Sequence, residues 1–92
     1  MKTTKYMINS YLSDSVVTSK VEVSKTKFSK VLSETQRQFL SQEDKDGEFY
    51  VNIDNYFYDY PTYTEKRVSF SYSICAIDFV ILECKQGYHF KQ

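Results

Sequence analysis

The stretch Ser24–Ser41, SKTKFSKVLSETQRQFLS, decides the fold class. Phe28, Val31, Leu32, Thr35 and Phe39 recur at helical spacing and form one apolar stripe. Ser24 is a good N-cap, because its hydroxyl can accept an otherwise unpaired N–H of the first turn. Val23 just before the cap and Phe28 at the fourth helical position fit a hydrophobic staple. Lys30, Glu34, Gln36, Arg37 and Gln38 fill the rest with good helix formers. The spacing predicts a helix over about 24–41. One helix with one apolar stripe needs a surface to bury it, and the flanking sequence reads as strand.

On the N-terminal side, Tyr6, Ile8 and Leu12 share one parity within Lys5–Leu12. Ser13–Ser15 is turn chemistry, and Val17, Ser19, Val21 and Val23 again share a parity. This predicts an N-terminal hairpin. On the C-terminal side lies EFYVNIDNYFYDY, Glu48–Tyr60. If it is a strand, Phe49, Val51, Ile53 and Phe57 face the core. Glu48, Tyr50, Asn52, Asp54, Tyr56, Tyr58 and Tyr60 then point away from it. Pro61 and Thr62 break the segment. Lys66–Ile74 alternates, with Val68, Phe70, Tyr72 and Ile74 inward and Arg67, Ser69, Ser71 and Ser73 outward. In AIDFVILEC, Ala76–Cys84, the alternation fails. That fits a bulge or turn near Cys75–Asp78, or a central strand covered on both faces, with a short helix as a third reading. The expected architecture is a single α+β domain over 1–92. One amphipathic helix packs on an antiparallel sheet of four or five strands. Strand order cannot be read from the pattern.

Ninety-two residues bury one core. Two glycines and one proline argue against low complexity and disorder. No apolar run approaches the roughly 20 residues that span a bilayer. The opening MKTTKYMINSYL lacks the apolar core of a secretion signal, so cytoplasmic residence is expected, in the host cell if the gene is phage-borne. Cys75 and Cys84 are nine residues apart. On one extended segment that is roughly 30 Å, too far for a disulfide, whereas a hairpin between them would let them approach; two small buried thiols in a reducing compartment are expected.

Signatures of catalysis are weak. His89 is the lone histidine and sits in a polar tail, Gln86–Gln92, beside Tyr88 and Phe90. A nucleophilic pair with Cys84 would need a base held against the thiol, and nothing in the spacing predicts it. Two separated cysteines and one histidine are poor material for zinc. Asp44, Asp46 and Glu48 faintly resemble a calcium loop, but Gly47 stands at the wrong place in it. With Gly47 and Gly87 as the two glycines, no glycine-rich phosphate loop exists. The chain is expected to be no enzyme and to hold no metal or cofactor.

Charge and aromatic content are more informative. The formal net charge is zero. Yet residues 43–65 carry seven acids (Glu43, Asp44, Asp46, Glu48, Asp54, Asp59, Glu65) against Lys45. Between Phe49 and Tyr63 the chain also places five tyrosines. Tyrosine offers a large contact area, few rotatable bonds and a polar end, which suits recognition. Glu43, Asp44, Asp46, Glu48, Tyr50, Asp54, Tyr56, Tyr58, Asp59, Tyr60 and Tyr63 are the candidate partner-binding residues. Carboxylates among tyrosines suit a protein partner with a basic surface and repel phosphate. An alternative is direct nucleic-acid binding by Lys25, Lys27, Lys30 and Arg37, a modest basic cluster on the helix. The tyrosines equally suit packing under the tail or a homodimer seam.

Size, α+β pattern and the segments QEDKDGEFY (Gln42–Tyr50) and NIDNYFYDYPTYTE (Asn52–Glu65), about a quarter of the chain, carry a resemblance. In kind, the chain resembles the small inhibitors of phages and mobile elements, of the anti-CRISPR and anti-restriction type. That resemblance implies a non-enzymatic inhibitor of a nucleic-acid-handling defence enzyme such as a CRISPR effector. Its acidic face would act partly as a DNA mimic. Many such mimics are acidic throughout, whereas this chain is neutral. Its Lys, Asn, Tyr, Ile and Ser usage suits an AT-rich bacterial or phage genome.

Overall fold

The computed structural model describes residues 3–12, 17–41, 52–71 and 75–85. They form β1 (Thr4–Leu12), β2 (Val17–Val23), α1 (Lys25–Ser41), β3 (Asn52–Asp59), β4 (Tyr63–Ser71) and β5 (Cys75–Cys84). The strands make one five-stranded sheet in the order β2-β1-β5-β4-β3, antiparallel at every pairing. This is a small α+β domain with one helix on one face of the sheet. The expected turn at Ser13–Ser15, the inward Phe49, Val51, Tyr72 and Ile74, and the tail lie outside the described residues.

The helix begins as its cap demands. Ser24 Oγ accepts the Lys27 N–H at 3.2 Å, and the Ser24 carbonyl accepts the Phe28 N–H at 2.9 Å. Val23 and Phe28 both join the core cluster, as a staple requires. Phe28, Phe39, Phe70 and Phe79 are buried, each burial stabilising by about 1.5–3 kcal/mol. Their rings meet edge to face: Phe39–Phe70 at 5.1 Å, Phe70–Phe79 at 5.6 Å and Phe28–Phe79 at 5.7 Å. Tyr6 closes the row against Phe28 at 5.3 Å.

These contacts show how the helix lies. Its first half, at Phe28, sits over β1 and β5; its second half, at Phe39, sits over β4. The helix therefore crosses the sheet on a diagonal. One corner is covered and one is left open. Ile53 pairs across from Phe70, under Phe39, and packs into the core. Phe57 pairs across from Lys66 at the other end of β3, two to three strand spacings from Phe28, roughly 10–14 Å. It is 62% exposed. The parity of Phe57 puts it on the core side as expected, but it is not a core residue, because the helix does not reach that corner. An open apolar groove of about 340 Å³ results, lined by Phe28, Leu32, Val68, Phe79 and Ile81 with Phe57 at its rim.

β5 is the central strand that its broken alternation allowed. Asp78, Phe79 and Val80 are buried in succession, so both of its faces are covered. Cys75 and Cys84 lie at its two ends and are free thiols; Cys84 is buried as expected, but Cys75, at the start of the strand, is only half-buried. On the face away from the helix, Asn9, Asp78 and Ser69 stand opposite one another on β1, β5 and β4. All are buried. Ser69 was expected to face solvent; instead its hydroxyl donates to Asp78 Oδ1 at 2.7 Å. Arg67 Nη1 reaches Asp78 Oδ2 at 3.3 Å. The bland outward serine is thus part of a polar row buried in the sheet.

Candidate functional site

β3 is the outermost strand among the described residues. Alternate side chains of a strand share a face, so Asp54, Tyr56 and Tyr58 project together from the side away from the helix. The ring centroids of Tyr56 and Tyr58 are 6.2 Å apart with planes 18° from parallel. Tyr58 and Tyr60 are also 6.2 Å apart. That spacing follows from two residues of strand rise, about 6.6–6.8 Å. Tyr60 and Tyr63 stack more closely, at 4.5 Å and 23°, across the turn that Pro61 and Thr62 make. Tyr60 N donates to the Tyr63 carbonyl at 2.9 Å and closes that turn. The row is a ladder of four rings fixed on regular backbone. Tyr56 and Tyr58 are each 42% exposed, and Tyr60 37%.

Lys85 holds the lower end of the ladder. Its N–H donates to the Thr62 carbonyl at 3.0 Å. Its ammonium donates to the Tyr60 carbonyl and pairs with Asp59 Oδ1 at 2.7 Å. Asp59 therefore departs from the expected site. By parity it lies on the helix side of β3, and its charge is answered by Lys85. Of the described candidates, the structure brings together Asp54, Tyr56, Tyr58, Tyr60 and Tyr63. Glu43, Asp44, Asp46, Glu48 and Tyr50 lie outside the described residues.

Two charged residues that the partner-binding set did not include stand beside the rings. Arg67 pairs across from Tyr56 and Glu65 across from Tyr58. Arg67 Nη2 lies 3.4 Å from Glu65 Oε2, and Nη1 reaches Asp78. The guanidinium is thus shared between two carboxylates; Asp54 accepts from the Tyr56 hydroxyl, and no ion pair to it is found among the described residues. Among described residues, this end of the face holds Asp54, Glu65 and Asp78 against Arg67. The outward parity of Arg67 was the available signal; Glu65 was legible only as one acid in a block. The Tyr56 hydroxyl pKa is raised, first by the negative charge of Asp54 and then by partial burial. That of Tyr60 is raised by desolvation first and by Glu65 next. Both phenols stay neutral donors at physiological pH.

The alternative basic site is on the opposite side of the molecule. Lys25, Lys27, Lys30 and Arg37 are all exposed on α1. At about 100° per residue, Lys27, Lys30 and Arg37 share the outer face, but Glu34 stands between Lys30 and Arg37. Lys25 falls on the other rim of the helix. The cluster is three cations around one acid, not a continuous stripe. Among the described residues no His, Cys, Asp and Glu side chains gather as a metal set, and no helix is long and apolar enough to cross a membrane.

No family model, no curated protein and no solved structure matches the chain. The functional reading therefore rests on the site itself.

Proposed function

We propose that this chain is a non-enzymatic protein-binding module whose tyrosine ladder docks on a basic protein surface. The target class that fits best is a nucleic-acid-handling enzyme, which presents such a surface where it grips phosphate. Docking there inhibits it, as the anti-CRISPR and anti-restriction inhibitors of phages do, in the cytoplasm of a bacterial host. The observation that carries this reading is the row Tyr56, Tyr58, Tyr60 and Tyr63, partly exposed rings that follow one another from the edge strand across its turn, with Asp54 beside it. Rigid aromatic rings give contact area at small entropic cost. Asp54 and the ring faces both attract Arg and Lys. The ladder lies on regular strand and turn, so it is formed before the partner arrives.

The test is capture of partners by the tagged chain from a nuclease-treated bacterial lysate, in parallel with the D54K/Y58A variant. The expected result is one nucleic-acid enzyme retained by the wild type and lost by the variant. Equal retention by both overturns the assignment of the ladder.

A further inference from the structure

The ladder covers one face of β3, and among the described residues no strand pairs with the edge of β3 that faces away from β4. We infer that the partner adds to that edge as an extended strand with Arg or Lys at every second position and apolar residues between them. This rests on the reading that the tyrosine ladder is the docking surface, and names how it is used. Alternate backbone N–H and C=O groups along Asn52–Asp59 point away from β4, and no described strand lies beyond them. An edge of this kind is a template for a further strand unless it is blunted. β3 carries no proline, no lysine and no glycine, and its pairing with β4 runs from Asn52–Ser71 to Asp59–Thr64 without a register break.

Both faces beside the edge are prepared for the two halves of such a strand. On the ladder side, a cation meets Asp54 and the exposed rings of Tyr56 and Tyr58. On the helix side, Ile53, Asn55 and exposed Phe57 follow one another. Asn55 is the smallest of the three, and its cross-strand neighbours are Val68 and then Phe79. An apolar side chain placed opposite Asn55 passes over it into the groove of about 340 Å³ that Phe57 borders. A strand presents alternate residues to opposite faces, so one segment satisfies both sides. A second copy of this chain is a poorer occupant. β3 carries Asp54 and Asp59 and no cation, so a second β3 offers Asp54 no opposite charge.

The test is NMR titration of the isotope-labelled full chain with three peptides. The first is acetylated and amidated (Arg-Leu)₄, the second the same peptide with every backbone nitrogen methylated, the third four Arg followed by four Leu. The expected result is that the alternating peptide shifts the Tyr56 and Tyr58 ring signals and protects every second amide within 52–59 from exchange. Methylation then weakens binding by about tenfold or more, since it removes the ladder hydrogen bonds. If the methylated or block-ordered peptide binds as tightly and still shifts the rings, strand addition falls while the tyrosine docking surface stands. If no peptide shifts the rings, both readings fall. Amide protection that rises with the concentration of the chain alone assigns the edge to a second copy and overturns the inference.

Discussion

β2 and β3 close the same sheet at its two ends, yet they are finished in opposite ways. β2 carries Lys20 and Glu22 as charges of both signs, and its pairing with β1 breaks register between Ser10 and Tyr11. These are the features that keep an edge from recruiting another strand. β3 has an unbroken register, carboxylates as its sole charges and a stacked aromatic row. Each edge shows an apolar side chain to solvent, Val21 at one end and Phe57 at the other. At β3 the exposed residue borders an apolar groove and a rigid polar–aromatic face. The difference teaches that exposure by itself is uninformative; what surrounds it separates a blunted edge from a receptive one.

Both edges lean on one core, and breaking that core should have the largest effect. Phe70→Ala should cost about 3–5 kcal/mol, because it leaves a cavity under Phe39 and beside Phe79. Urea unfolding followed by far-UV circular dichroism and by tyrosine fluorescence should shift together. A tyrosine signal that survives the helix signal would mean that the β3 edge is held independently. The buried polar row should next reveal an asymmetry towards β3. Asp78→Ala should cost about 1–3 kcal/mol, since it strips Ser69 and Arg67 of their shared acceptor. Asn9→Ala, nearer β2, should cost less, because Asn9 Oδ1 is buried with no hydrogen-bond partner. Equal losses in thermal unfolding would erase the distinction.

Binding sharpens the comparison further. Tyr58→Ala should weaken the partner complex by about 1.4–2 kcal/mol, tenfold or more, while Val21→Ala changes it by less than about 0.5 kcal/mol. Calorimetry on the captured partner reads both. The smallest effect is in alkaline titration. The Tyr56 and Tyr60 pKa values are raised in the fold, so their contribution to stability is complete below the ordinary tyrosine range and lost as pH climbs through the raised values. Absorbance at the phenolate band should show Tyr56 ionising earlier in Asp54→Asn than in the wild type. An unchanged curve would remove Asp54 as the cause.

Much of the helix was legible in the residues themselves, because its cap, staple and stripe are local. The tyrosine face was legible too, since parity assigns faces. Parity does not say what covers a face. Phe57 reads as core for that reason, and only the diagonal of α1 leaves it open. Asp59 joins the site when residues are grouped by charge, but its parity and its pairing with Lys85, far along the chain, remove it. Ser69 reads as solvent-facing because nothing local reveals that Asp78 will lie opposite. Strand order, which makes β3 an edge, depends on non-local pairing that no single segment encodes.

The most direct test places a photo-crosslinking amino acid in place of Tyr58 and, separately, in place of Val21, with irradiation in a nuclease-treated bacterial lysate. The account predicts one cross-linked nucleic-acid enzyme from the Tyr58 position and none from the Val21 position. Equal labelling from both positions, or cross-links from Tyr58 only to a second copy of the chain, would contradict it.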